Sequence, residues 1–235
     1  MPNPYFRFKQ FTVYHDRCAM KVGTDGCLLG AWAKANSPKY ILDIGTGTGL
    51  ISLMLAQRFP EATIDAVEIE PTCARQAHEN IQQSPWRDRI SIHHSSIQAF
   101  EAAHRYELIV SNPPYFTNAF AAPDKNRHQA RHDSSLSVQD LIHQASRLLS
   151  ADGVLCVILP VDRFETFDHF ATVEQLQLQE RVNVMPTPTK ETKRILLKYS
   201  RQSHQNTVSC FYIEEKRGQY SEHFTKLLED FYLYL

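Results

Sequence analysis

Two short runs bring together groups able to do chemistry. The first, Asp43-Ile44-Gly45-Thr46-Gly47-Thr48-Gly49, sets a carboxylate and three alternating glycines between an apolar run and a helical pattern. A strand that turns through glycines into a helix points unpaired N–H groups and the positive end of the helix dipole at a polar or anionic ligand. The spacing is G-x-G-x-G. Leu50 stands where a dinucleotide fingerprint, G-x-G-x-x-G, has its third glycine, and there is no G-x-x-x-x-G-K-[ST] phosphate loop. Glu68, 25 residues after Asp43, closes the next apolar run, where a carboxylate can accept hydrogen bonds from both hydroxyls of a ribose. A tight turn that merely packs a helix on a sheet would use the same glycines.

The second run, Asn112-Pro113-Pro114-Tyr115, follows the apolar stretch 106–111. The Asn112 side-chain carbonyl and the Pro113 backbone carbonyl can accept both N–H bonds of a planar exocyclic amine. Consecutive prolines fix φ and hold those acceptors in place. The Tyr115 ring offers a stacking face to a flat substrate. An aromatic or amide nitrogen is a poor nucleophile because its lone pair is delocalised. Acceptors that draw on both of its protons favour rehybridisation, a preference expressed mainly in the transition state. Alone, the four residues also read as a turn after a strand.

A frame must hold both runs. Glycine is scarce, 8 of 235 residues, and six of the eight fall between Gly23 and Gly49, which marks loops needing close backbone approach or positive φ. Strands are predicted at 40–44, 62–68, 89–94, 106–111 and 153–159, and helices at 50–58, 71–83 and 138–149. Apolar runs flanked by helices predict a doubly wound α/β fold whose mostly parallel sheet is covered on both faces. Ligands of such sheets sit beyond the carboxyl ends of the strands, so residues 112–115 should face the glycine loop. Beyond 159, a helix at 162–173, strand-like runs at 194–199 and 208–214 and a closing helix at 221–232 extend the sheet with an antiparallel C-terminal strand pair. The chain divides into an N-terminal extension, 1–39, and one domain, 40–235.

At roughly 150 residues per domain, 235 residues hold one large domain with an appendage. Apolar residues make up 43% and charged residues 22%, which excludes general disorder. Twenty-five basic against 26 acidic residues makes any polyanion site local. The longest apolar stretch, 153–160, is far short of the about 20 residues of a membrane helix, and the N-terminus lacks the features of a signal peptide. Five cysteines (18, 27, 73, 156 and 210) without C-x-x-C spacing argue against a disulfide framework or structural zinc, and for a reducing cytoplasm.

The glycine loop resembles the first motif, D-x-G-x-G-x-G, of the class I S-adenosylmethionine-dependent methyltransferases. The resemblance implies a Rossmann-like fold in which Asp43, Gly45, Gly47 and Gly49 line the methionine end of S-adenosyl-L-methionine and Glu68 holds its ribose. Asn112–Tyr115 resembles motif IV of the amino-methyltransferases, [DNS]-P-P-[YFW], which act on N6 of adenine, N4 of cytosine, N2 of guanine or glutamine amide nitrogen. That likeness gives Asn112, Pro113 and Tyr115 the catalytic role, with Asn112 also beside the cofactor. His15–Gly26, Gln83-Ser84-Pro85-Trp86, Gln129-Ala130-Arg131, Tyr220-Ser221-Glu222 and Phe231-Tyr232-Leu233 extend the likeness over nearly the whole chain. They are similar to the bacterial tRNA (adenine-N6)-methyltransferases that act on position 37 of a valine tRNA. By that likeness the 21–26 segment closes over the cofactor, with Lys21, Thr24 and Asp25 as contacts. One departure is Ser96, where class I enzymes usually carry an acidic residue for the cofactor's adenine; its hydroxyl can still hydrogen-bond, but neutrally.

For the RNA, residues 1–22 hold Arg7, Lys9, Arg17 and Lys21 against Asp16 alone, interleaved with aromatics, and residues 190–201 hold five basic side chains against Glu191. Such patches suit a single-stranded anticodon loop, by phosphate contact and base stacking. Phe6, Phe8 and Phe11 read equally as core. Arg7, Lys9, Arg131, Lys193 and Arg194 are the expected RNA contacts. The long polar segment 116–135 reads as a substrate-gating loop. His128 and His132 lack a carboxylate-rich or Cys partner nearby, so no metal is expected, and the protein is expected to act as a monomer. A protein-glutamine methyltransferase of the release-factor type is the alternative, as is N6-adenine methylation of another RNA. The former carries a helical module before the glycine loop, whereas 42 residues precede Asp43 here. A non-catalytic RNA-binding module would have lost one of the two motifs, and no target-recognition domain of a DNA methyltransferase is evident.

Overall fold

The computed structural model describes residues 3–113, 136–203 and 205–235. In chain order the elements are β1 (Tyr5–Arg7), β2 (Thr12–Tyr14), α1 (Thr24–Trp32), β3 (Tyr40–Ile44), α2 (Leu50–Arg58), β4 (Thr63–Glu68), α3 (Pro71–Gln82), β5 (Ile90–His94), β6 (Tyr106–Ser111) and α4 (Val138–Leu148). They continue with β7 (Leu149–Pro160), α5 (Phe164–Val173), β8 (Gln177–Met185), β9 (Arg194–Ser200), β10 (Thr207–Tyr212), β11 (Glu214–Lys216), β12 (Gln219–Tyr220) and α6 (Glu222–Leu228).

Eight strands form one sheet in the order β10-β8-β9-β7-β6-β3-β4-β5. From β7 to β5 every pairing is parallel. This is the doubly wound α/β arrangement expected from the alternating apolar runs. β3 and β6 sit at its centre, so Ile41, Leu42, Leu108, Ile109 and Val110 are fully buried, which is why these strands read as unbroken apolar runs. One core lies under α1, α2 and α6 and the other under α4 and α5. Chain order reverses between β3 and β6, making their carboxyl ends the topological switch point where ligands of such sheets bind.

The antiparallel pairing at the C-terminal side centres on β9, which runs antiparallel to both β7 and β8. The other predicted run forms β10 and lies parallel to β8. β8 itself went unread because Gln177-Leu178-Gln179-Glu180-Arg181 shows too few apolar positions for a strand; pairing on both edges supplies what its composition does not.

α1 also went unread. Glycine costs a helix interior about 1 kcal/mol relative to alanine, and this helix has two, Gly26 and Gly30. Packing decides here. A Cβ on Gly30 would lie 2.7 Å from Met54 Sδ, so the bare backbone lets α1 rest on α2.

Residues 14–18 dock on α3. Asn80, 1% exposed, donates to the carbonyls of Tyr14 and Thr48 and accepts the Tyr14 N–H, all at 2.9 Å. Gln76 donates to Asp16 at 2.7 Å, and Arg17 pairs with Glu79. Cys18 and Cys73 form a disulfide in the same contact, with their Cα atoms 5.0 Å apart, so the expectation of unpaired thiols is not met for these two. Their separation of 55 residues hid the pair from the sequence. Cys27, Cys156 and Cys210 are free. No helix among the described residues is long and apolar enough to cross a membrane.

Candidate active site

The cleft at the switch point encloses about 380 Å³ and is lined by the Gly45–Thr48 loop, the Met20–Gly26 segment with Lys21, Thr24 and Asp25, and Asn112. Each part is held by a specific bond. The loop leaves β3 and is tied to the end of β4 by Gly45 and Thr46 N–H bonds to the Val67 carbonyl, 2.9 and 3.1 Å. Its three glycines have φ of +74°, +59° and +82°, which side-chain-bearing residues rarely adopt. At Gly45 and Gly47 an added Cβ would meet nothing within 4 Å, so bare backbone faces open space there. Gly49 serves differently: it is the left-handed N-cap of α2 and packs against Ala77 and Ile81 of α3.

Beneath the loop lies Asp43, fully buried. Its Oδ2 accepts hydrogen bonds from Thr46 Oγ1 and Ser52 Oγ, both 2.7 Å, while Oδ1 is buried without a partner. Burial drives its carboxyl up to about 6; the two hydroxyls and the Ser52 backbone N–H oppose the shift and the Glu68 carboxylate adds to it. Glu68, at the end of β4, accepts the Gly47 N–H on Oε2 and the Glu70 N–H on Oε1, both at 2.8 Å. Each oxygen keeps a lone-pair direction, so the carboxylate can still accept from a diol. The bare loop, the unpartnered carboxylate oxygen and the Glu68 carboxylate bonded to the loop fit a ligand with a cationic end and a ribose.

Asn112 follows the last residue of β6, where Ser111 Oγ donates to the Ile44 carbonyl at 2.8 Å and locks the end of β6 to the end of β3. Asn112 is half-buried and lines the same cleft as the glycine loop, and Pro113 is buried. Tyr115 and Arg131, with His128, His132 and the 116–135 loop, lie outside the described residues. No group of His, Cys, Asp or Glu suited to a metal occurs among the described residues.

The remaining expected residues divide. Ser96, half-buried after β5, accepts the Ala99 N–H at 3.2 Å and so caps the turn that leads to Ile97. Lys9 donates its ammonium to the Glu229 carbonyl at 2.5 Å, fastening the N-terminal segment to the C-terminal one, and Arg7 is exposed on β1. Phe8 and Phe11 are buried and stacked at 4.5 Å between centroids, so these aromatics serve the core. Lys193 is exposed on the 186–193 loop, between the carboxyl end of β8 and the start of β9. Arg194 is engaged: its Nε donates to Asp25 Oδ2 at 2.7 Å. Reasoning from the sequence missed Thr46 and Ser52, the hydroxyls that hold Asp43, and Gln76 and Asn80, which dock the N-terminal segment. The last two left a signal: polar residues four apart on the face of α3 that also carries Cys73, Ala77 and Ile81.

Comparison with known proteins identifies the family and the fold. The methyltransferase small domain family matches residues 23–185. A Phocaeicola vulgatus protein named tRNA1(Val) (adenine(37)-N6)-methyltransferase is 49% identical over 233 residues, covering 99% of each chain. A Yersinia enterocolitica protein of the same name is 46% identical over 231 residues, covering 97% of this chain and 92% of its own. Among solved structures, a predicted O-methyltransferase from Agrobacterium tumefaciens superposes with a TM-score of 0.69 at 17% identity, covering 88% of this chain and 96% of its own. A ribosomal protein L11 methylase from Lactobacillus delbrueckii gives 0.52 at 19% identity, covering 76% and 77%. At such identities the structural likeness establishes the class I methyltransferase fold alone.

Proposed function

The chain belongs to the tRNA1(Val) (adenine(37)-N6)-methyltransferase family, and on that premise we propose that it methylates N6 of adenine 37, beside the anticodon of a valine tRNA. The observation that carries the reading is that Asn112 and the glycine loop line one cleft at the switch point. S-Adenosyl-L-methionine, when bound, supplies an electrophilic methyl on a sulfonium. Gly45 and Gly47 let the backbone approach it, Asp43 provides negative charge for its cationic end, Asp25 contacts it from the first turn of α1, and Glu68 accepts from its ribose. Lys21 and Thr24 close the cleft from the α1 side.

The other residues act on the amine. Asn112 Oδ1 and the Pro113 carbonyl accept its two N–H bonds and orient the nitrogen lone pair into the cleft. These acceptors stabilise the positive charge that develops on nitrogen as the bond forms, and the surplus proton then leaves to solvent. Tyr115 stacks on the adenine. An unpaired base in an anticodon loop enters the cleft at less cost than a paired one, whose extrusion takes a few kcal/mol. Exposed Lys190 and Lys193 border the same rim: Arg194 pairs with Pro160, and β7 runs parallel to β6, so the 186–193 loop lies at the carboxyl edge. They contact the anticodon-loop phosphates, and the enzyme meets its tRNA in the cytoplasm.

The test is transfer of labelled methyl to total tRNA from a strain lacking this gene, with nucleoside mass spectrometry. N6-methyladenosine in one tRNA species supports the reading; label only in protein moves it to glutamine. Asn112→Ala should lower kcat about 100- to 1,000-fold while S-adenosylhomocysteine affinity stays within a few-fold. Collapse of that affinity would refute the role given to Asn112.

A further inference from the structure

α1 roofs the cleft, and its two ends are held unequally. From Gly26 to Trp32 every residue is buried, and Arg58 donates to the Gly30 and Ala33 carbonyls at 2.8 and 2.5 Å. The first turn has less support: Gly23 caps it without a side-chain bond, and the Cys27 N–H to Gly23 carbonyl contact is 3.3 Å long. Yet this turn must be in register with the catalytic strand end. A Cβ on Gly26 would lie 3.0 Å from Leu50 Cδ2 and 4.0 Å from Asn112 Nδ2.

A bond from the other half of the molecule reaches this turn. Arg194, first residue of β9, donates its Nε to Asp25 Oδ2 at 2.7 Å across 169 residues of sequence, with the side chains 29% and 22% exposed. Arg194 is itself seated by strand pairing, opposite Val184 of β8 and Pro160 of β7, and its Nη1 donates to the Lys193 carbonyl at 3.1 Å. The guanidinium thus sits on rigid sheet and grips a carboxylate on the cofactor side of the cleft.

We propose that Arg194 is a positioning residue for cofactor binding: through Asp25 it fixes the first turn of α1 over the glycine loop and beside Asn112. This rests on the methyltransferase reading and gives Arg194 a role other than the phosphate contact its charge suggested. Its partner explains the preference: a guanidinium bonded to a carboxylate carries little net field to an incoming phosphate, whereas breaking the pair takes a charge-assisted bond from a half-buried carboxylate.

The experiment measures two affinities separately on the full chain: S-adenosylhomocysteine by calorimetry without RNA, and the substrate tRNA by filter binding without cofactor at several salt concentrations. Arg194→Ala and Asp25→Asn should each weaken S-adenosylhomocysteine about tenfold, the range of one charge-assisted hydrogen bond. The double variant should be no weaker than either single one, and Arg194→Lys should recover part of the loss. Affinity for tRNA and its salt slope should stay at the wild-type value. An unchanged S-adenosylhomocysteine affinity, or additive losses in the double variant, overturns the proposal, as does a tRNA affinity that falls with a flatter salt slope. Were Arg194→Ala to misfold, Arg194→Lys and Asp25→Asn carry the same comparison. Methyl transfer by the wild-type protein tests the parent reading independently, so either can fail alone.

Discussion

Among the described residues Asp43 is the one carboxylate placed entirely out of water, and its substitution yields a prediction that survives the side effects of mutation. Its folded carboxyl titrates at about 6 against 3.8 when exposed. Between those values the native protein binds a proton that the unfolded chain has released, so stability falls as pH rises through this window and levels off above it. Integrated from pH 4 to pH 7, the group removes about 2–3 kcal/mol. Asp43→Asn keeps one oxygen to accept the Thr46 and Ser52 hydroxyls but puts an amide where Oδ1 has no partner, at a cost of about 1–3 kcal/mol that does not vary with pH. The informative quantity is therefore the change in the difference. Urea unfolding at pH 4 and pH 7 should show the variant gaining about 2–3 kcal/mol on the wild type between the two. S-Adenosylhomocysteine affinity of the wild type should be constant above about pH 7 and fall as pH drops through 6, and the variant should lose that dependence. Parallel stability curves for the two proteins would show that Asp43 is ionised in the fold at low pH, and the account of its burial would fail.

Two further outcomes follow from the surface and the crosslink. Lys190→Ala with Lys193→Ala should weaken tRNA binding and reduce the slope of log affinity against log salt by about 1.5, the value for two lost phosphate contacts; an unchanged slope removes this loop from the RNA footprint. Reduction of Cys18–Cys73, which closes a loop of 55 residues, should cost about 4 kcal/mol and lower the thermal midpoint by roughly 10 °C, whereas Cys18→Ser/Cys73→Ser should be insensitive to dithiothreitol. A midpoint that reductant does not move would mean the pair is not bonded in solution.

What the sequence determined was local chemistry and its order along the chain. The alternating glycines after one buried run and Asn112 after another line one cleft because a parallel sheet brings the carboxyl ends of its strands to one edge. Burial on both faces wrote β3 and β6 into the composition, so the frame and Asn112 could be read directly. The C-terminal half resisted: β8 is held by pairing on both edges, and pairing leaves little trace in the residues of one strand. α1 is a helix against its own propensity because Met54 requires a bare backbone beside it.

Tertiary structure alone decided how long-range partners share the charges. Lys9, Arg194, Asp25 and the two bonded cysteines carry the same residue types whether they face RNA, cofactor or one another. Only the fold brings Lys9 to the Glu229 carbonyl, Arg194 to Asp25 and Cys18 to Cys73. The physical reason is distance: a hydrogen bond or disulfide acts over a few ångströms, and the sequence separations of these pairs, 220, 169 and 55 residues, are closed only when the sheet assembles.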